Sequence, residues 1–211
     1  MSLLPADVAA IAWDIDGTLV DSEPLHHRAL VEASRGFGVD LTDLPDMAFR
    51  GVHMPDVWLA LRPRLPGDLD RDCWLAAIEA AYVAGSAALE PIPGAIETIR
   101  ALAEREVRQV AVSNSSRAVV DANIAALGIG DALDFSISLD DVAKGKPDPE
   151  PYALAAIRLG LPPHQVCAVE DSATGLASAR AAGLRCIALA PDGEAFPSTL
   201  CAIPRLSHIL M

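Results

Sequence analysis

Residues 8–20 read VAAIAWDIDGTLV. Six uncharged residues, small, branched or aromatic, run straight into Asp14, Ile15, Asp16, Gly17 and Thr18. An apolar run this short suits a strand buried on both faces of a parallel sheet. Two carboxylates one residue apart at its end repel each other, and they resist desolvation unless a cation or hydrogen-bond donors meet them. The stretch thus raises two expectations together: a buried strand, and a charged site at its carboxyl end.

The pattern recurs downstream. RQVAVS (108–113), FSIS (135–138), QVCAVE (165–170) and RCIALA (185–190) are further short apolar runs. Between them AIETIRALAERE (95–106), RAVVDANIAALG (117–128), PEPYALAAIRLG (149–160) and ATGLASARAAG (173–183) read as helices, several ending in a glycine suited to a left-handed cap. This alternation predicts an α/β fold, a doubly wound parallel sheet with helices on both faces. The stretch 20–89 breaks the rhythm. EPLHHRALVEASRGFG, PDVWLALRP and RDCWLAAIEAAYVAGSAAL are amphipathic and helical, and the Pro-rich EPIPG (90–94) closes them off. A helical domain over 20–89 is therefore expected, inserted into a core of 1–19 and 90–211, with hinges near 19–23 and 89–94.

Bulk composition narrows the partners. At 211 residues the chain can build one core plus a small insert, and 52% hydrophobic residues exclude disorder. A net charge of −13 speaks against nucleic acid and anionic membrane surfaces. An anionic ligand would need local positive charge from a metal, a lysine or helix N-termini. Only two lysines exist, Lys144 and Lys146, both in KGKPDP. Cys73, Cys167, Cys186 and Cys201 lie far apart without metal-binding spacing, and the first residues lack a basic leader. A reduced, cytoplasmic setting is expected. Neither GxxxxGK[ST] nor GxGxxG is present.

In a doubly wound sheet ligands bind beyond the carboxyl ends of the strands. There the chain places Asp14, Asp16, Gly17 and Thr18 after the first run, and Ser113, Asn114, Ser115 and Ser116 after the second. Lys144 and Lys146 follow FSIS across a loop, and Glu170, Asp171 and Ser172 follow QVCAV. Acids, hydroxyls and a lysine at one edge form an inventory for handling phosphate.

DIDGTLVDSEP, SNSS, KGKPDPEPY and VEDSATG resemble, in order, the four motifs of the haloacid dehalogenase superfamily, in its branch with a helical cap after the first strand. The resemblance covers nearly the whole chain and is best to phosphatases and sugar-phosphate mutases. It departs at Trp13, where the family usually has Phe, a change that bears on packing behind the nucleophile.

The resemblance implies an aspartyl-phosphate mechanism with Mg²⁺ and a small phosphorylated metabolite as substrate. Asp14 would be the nucleophile and Asp16 the general acid and base. Asp14, Asp171 and the Asp16 carbonyl would hold the metal, with Glu170 binding directly or through water. Ser113 and the Asn114 amide would hold phosphoryl oxygens, Lys146 would neutralise charge, and Gly17 would let the backbone turn beside the phosphate. On the cap, His26, Arg50 and Gly51 would face the substrate. Ser172 is expected to cap the following helix and Lys144 and His27 to lie on the surface.

Sugar or sugar-acid phosphates lead as substrates. The alternatives are a β-phosphoglucomutase-type mutase and a phosphoglycolate phosphatase. A phosphoacceptor signalling or binding module is disfavoured by the insert and by the intact motif set. Dehalogenation is disfavoured because dehalogenases of the superfamily lack the second aspartate. Phosphonate cleavage needs a cap lysine, and none lies between 20 and 90. The same absence, with Met54 where mutases carry an arginine after the cap-loop glycine, weighs against the mutase.

Overall fold

The computed structural model describes residues 3–46, 48–49, 51–52, 54–191, 193, 196 and 199–211. The elements begin β1 (Ala10–Trp13), β2 (Val20–Asp21), α1 (Glu23–Gly36), α2 (Met54–Leu61), α3 (Arg71–Gly85) and β3 (Glu90–Pro91). They continue α4 (Ala95–Glu104), β4 (Arg108–Val112), α5 (Arg117–Leu127), β5 (Phe135–Ile137) and α6 (Glu150–Leu159). The last are β6 (Val166–Glu170), α7 (Ala173–Ala181), β7 (Arg185–Leu189) and β8 (Cys201–Ile203), with short 3₁₀ turns between.

Each apolar run became a strand because it can be buried on both faces. β1 is buried at every position, as is β6. The six-stranded sheet has the order β5-β4-β1-β6-β7-β8, and its neighbours all pair in parallel. The chain steps outward from β1 through β4 to β5, then crosses back to β6 on the other side of β1. Strand order therefore reverses at β1, and the crevice over such a switch point is where ligands bind in this architecture.

On one face Ala10, Ala12, Val110 and Val112 pack with Tyr152, Ala155 and Leu159 of α6 and Leu176 and Ala179 of α7. Toward α4 lies Trp13, fully buried, whose indole N–H needs an acceptor. Gln109 supplies it, with Nε1 to Oε1 at 3.0 Å, and Gln109 is itself held by donating to the Ile99 carbonyl at 2.9 Å. The tryptophan is thus matched by a buried glutamine on the neighbouring strand.

The described residues divide into two compact units, Met1–Asp21 with Glu90–Met211, and Ser22–Leu89. The first junction falls two residues later than the sequence suggested, and the second falls after Leu89. Val20 and Asp21 pair antiparallel with Pro91 and Glu90, which keeps both segments with the sheet unit. Strands of two residues carry no periodic signal, and the three-residue edge strand β8, only one of whose positions is buried, carries no continuous buried run.

In the helical unit α1 packs along α3. Leu25, Ala29, Leu30 and Ala33 meet Trp74, Ile78 and Tyr82, and the Trp74 indole donates to Ser34 Oγ at 3.0 Å. Trp58 of α2 lies 5.3 Å from the Trp74 ring, and Leu61 is buried beside it. His27, expected on the surface, has a side chain only 16% exposed, with Nε2 3.7 Å from Asp46. No helix among the described residues is long and apolar enough to cross a membrane.

Candidate active site

Asp14 extends β1 by one step, its amide donating to Val169 O at 3.0 Å. That places its carboxylate at the switch point, 7% exposed, with both oxygens held. Oδ1 accepts from Lys146 Nζ at 2.7 Å and Oδ2 from Thr18 Oγ1 at 2.9 Å. Thr18 reaches back because the chain folds over at Gly17 (φ 84°) and the amides of Leu19 and Val20 close on Ile15 O. A Cβ on Gly17 would stand 2.2 Å from Asp171 Oδ2, so the close approach of loop and acid needs glycine there.

Lys146 is 5% exposed and spends all three ammonium protons. They go to Asp14 Oδ1 at 2.7 Å, Glu170 Oε1 at 2.6 Å and Val112 O at 2.8 Å. Burial alone would lower its pKa, but Asp14 and Glu170 outweigh that and hold the ammonium above its usual range. Its backbone is clamped by Asn114, which accepts from the Lys146 amide at 2.7 Å and donates to the Lys146 carbonyl at 3.0 Å. The sequence pointed to Asn114 for its amide; the side chain has a separate task, fixing the lysine loop. Lys144, 74% exposed at its side chain, stays outside.

Glu170 is fully buried. Its Oε1 also accepts from Tyr152 OH at 2.6 Å, and Oε2 accepts from Ser172 Oγ at 3.2 Å. Ser172 caps α7 by accepting from the Gly175 amide. α7 comes so close that a Cβ on Gly175 would lie 2.0 Å from the Glu170 carboxylate. Asp14, Glu170 and Asp171 each offer an oxygen within 4.8 Å of the others. Burial first, then the charge of Glu170, raises Asp14 to about 7 against the pull of Lys146. Asp171 is raised to about 7 by burial and then by Asp14. Three carboxylates cluster beside one lysine that bonds only two of them, and the metal-donor atoms are all hard oxygens.

Asp16 turns the other way, and its side chain is not part of that cluster. Its Oδ2 accepts from Ser113 Oγ and Ser115 Oγ, both at 3.0 Å, and its Oδ1 from Asn123 Nδ2 at 3.2 Å. Ser113 also accepts from the Ser115 amide at 3.0 Å, so the hydroxyl expected to hold phosphate is here tied to Asp16. Tyr152 and Asn123 are contacts to which the sequence reading gave no role, while Thr18 and Ser115, placed by it at the strand ends, bond Asp14 and Asp16. Only Asn123 left a local trace, an amide on the buried stripe Val119, Val120, Asn123, Leu127 of α5.

The remaining candidates lie in the helical unit. The His26 ring packs on Tyr82 with centroids 4.3 Å apart, and the Gly51 amide donates to Glu23 Oε1 at 3.1 Å. Arg50 lies outside the described residues.

Fold and site define the class, a doubly wound α/β core with a helical insert after its first strand and a carboxylate-rich centre at its switch point. The family model for haloacid dehalogenase-like hydrolases matches residues 8–183, and the chain belongs to that family. It is 31% identical over 190 residues to validoxylamine A 7'-phosphate phosphatase of Streptomyces hygroscopicus subsp. limoneus, covering 87% of this chain and 86% of the relative. Hexitol phosphatase B of Escherichia coli is 28% identical over 210 residues, 97% and 94% of the two chains. The crystal structure of CbbY from Rhodobacter sphaeroides in complex with phosphate superposes with a TM-score of 0.85 at 29% identity, covering 95% of each chain.

Proposed function

We propose that the enzyme is a phosphatase that hydrolyses a small phosphorylated sugar or polyol through an aspartyl-phosphate on Asp14, with Mg²⁺ as its cofactor. The observation that carries the reading is the Asp14 carboxylate at the switch point, oriented by Lys146 and Thr18 and separated in orientation from Asp16. Family membership and relatives named as phosphatases support it.

One oxygen of Asp14 attacks phosphorus, the bond from phosphorus to the substrate oxygen breaks, and Asp16 gives that oxygen its proton. A water then attacks the same phosphorus, Asp16 takes its proton, and cleavage of the acyl phosphate returns the Asp14 carboxylate with inorganic phosphate. Lys146 keeps the nucleophile charged and fixed. The Asn114 amide, just ahead of α5, offers a donor to the phosphoryl oxygens, and Ser113 would join it on turning its hydroxyl from Asp16, to which it donates here. His26, Arg50 and Gly51 are the residues of the helical unit assigned to the rest of the substrate.

The donor set fits a hard divalent cation: buried carboxylate oxygens, mutually repulsive, with no nitrogen or sulfur among them. Asp14, Asp171 and the Asp16 carbonyl would hold Mg²⁺, with Glu170 already engaged by Lys146 and Tyr152. Bound there, it would supply positive charge to the phosphoryl group and remove the repulsion among the acids.

That repulsion gives a pH-dependent signature. Asp14 and Asp171 have folded-state pKa values of about 7 against an ordinary 3.8. A raised carboxyl pKa means stability that is complete below about pH 4 and lost as pH rises through about 7. Mg²⁺ should therefore raise the melting temperature more at pH 8 than at pH 5, and EDTA should abolish phosphate release. Equal shifts at both pH values, or full activity in EDTA, would overturn the metal assignment.

The reading is tested by phosphate release over a panel of hexitol phosphates, sugar phosphates and phosphoglycolate. The mutase alternative is separated by β-glucose 1-phosphate with a trace of the 1,6-bisphosphate. Free phosphate is expected to accumulate; rapid glucose 6-phosphate with little phosphate released would reverse the assignment.

A further inference from the structure

An asparagine at the centre of a buried helix face is an unfavourable choice. It has a lower helix propensity than the aliphatic residues around it, and burying its amide costs free energy unless each end is bonded. Asn123 occupies such a place on α5, fully buried on the stripe with Val119, Val120 and Leu127. Its Nδ2 reaches Asp16 Oδ1 at 3.2 Å across 107 residues of sequence, while Ser115 Oγ and Ser113 Oγ both reach the other oxygen at 3.0 Å. A hydrogen bond to a charged acceptor is stronger than one between neutral groups, which accounts for an amide in this position.

Asn123 and Ser115 come from different places on one rigid element. Ser115 lies in the turn before α5 and Asn123 two turns inside it, so the element bonds both oxygens of the carboxylate, Asn123 one and Ser115 the other. We propose that Asn123, with Ser115, is a positioning residue for the acid–base chemistry of Asp16, holding the plane of its carboxylate so that one group can serve both the leaving oxygen and the attacking water. This rests on the phosphatase reading above. Neither residue touches the reacting atoms; each acts through Asp16.

The consequence is a specific kinetic pattern. Formation of the phosphoenzyme needs the proton from Asp16 when the leaving group is an alcohol and hardly at all when it is 4-nitrophenolate. Hydrolysis of the phosphoenzyme needs Asp16 as base for either substrate. A misplacement of about 1 Å can cost on the order of 10²-fold in such a step. For Asn123→Leu, close in shape and without the amide, kcat/KM for an alkyl phosphate should fall by about 10–100-fold. On 4-nitrophenyl phosphate kcat/KM should stay within about 3-fold, while kcat falls and a burst of nitrophenolate precedes the steady state. Ser115→Ala, at a half-buried position where the fold loses one hydroxyl, should show the same pattern in weaker form, and it stands in should Asn123→Leu not fold.

Stopped-flow measurement of both substrates with wild type and the two variants decides the matter. Equal losses of kcat/KM on the two substrates mean a smaller active fraction or a general distortion and overturn the positioning role, as does an unchanged alkyl rate. Wild type that hydrolyses neither substrate would overturn the phosphatase reading itself, a separate outcome.

Discussion

Asp14→Asn should reduce phosphate release by on the order of 10⁴-fold or more, the scale of losing a covalent nucleophile. The substitution keeps one oxygen to accept from Lys146 and puts an amide nitrogen where the other oxygen accepted from Thr18, so shape is nearly retained while the attacking charge is gone. The same change should leave stability intact in the absence of metal. Burial and Glu170 raise the Asp14 pKa to about 7, so at pH 8 the wild type carries an ionised group that its surroundings disfavour. A neutral amide lacks that cost. Melting curves in EDTA at pH 8 should show the variant no less stable than wild type, which separates lost chemistry from lost fold. Substantial residual turnover with intact protein would remove Asp14 from the nucleophile's role.

Lys146→Met should have the largest effect on stability. The ammonium is 5% exposed and bonds two carboxylates and a carbonyl, so its removal leaves Asp14 and Glu170 buried with no cation. Removing one partner of a buried ion pair typically costs about 3–5 kcal/mol, most of it the desolvated charge left behind. Activity should fall as well, by about 10²–10³-fold, as for other losses of a fixed electrostatic donor. Urea unfolding of the variant, with Lys146→Met/Glu170→Gln beside it, tests the cause. If uncompensated charge is the reason, the double variant recovers part of the loss, because the second substitution replaces a buried carboxylate with a neutral amide. A single-variant cost below about 1 kcal/mol would show that the pair contributes little beyond its own desolvation.

Much of the architecture was legible because it is written in local patterns. Runs of uncharged residues at 8–13, 108–113 and 165–170 can only be satisfied where both faces are covered, and the helices between them supply the cover. The order of those runs, with Asp14, Ser113 and Asp171 each just past a strand end, also brought the right segments to one edge of the sheet. Elements too short to carry a period were not legible. The β2–β3 ladder and β8 depend on pairing with distant chain, and nothing within two or three residues announces a partner.

By itself, then, the sequence determined the alternation of strand and helix, the helical insert and the identity of the acids, hydroxyls and lysine at the strand ends. Which of these side chains face each other was decided only in three dimensions. Lys146 meets Asp14 across 132 residues, and Asp16 turns away from it to Asn123, a residue outside every motif. The physical reason is that periodicity fixes which face of an element is buried, whereas a hydrogen bond needs a partner within about 3 Å at a suitable angle. That distance depends on how α5, β1 and the lysine loop pack together, and packing is a property of the whole fold.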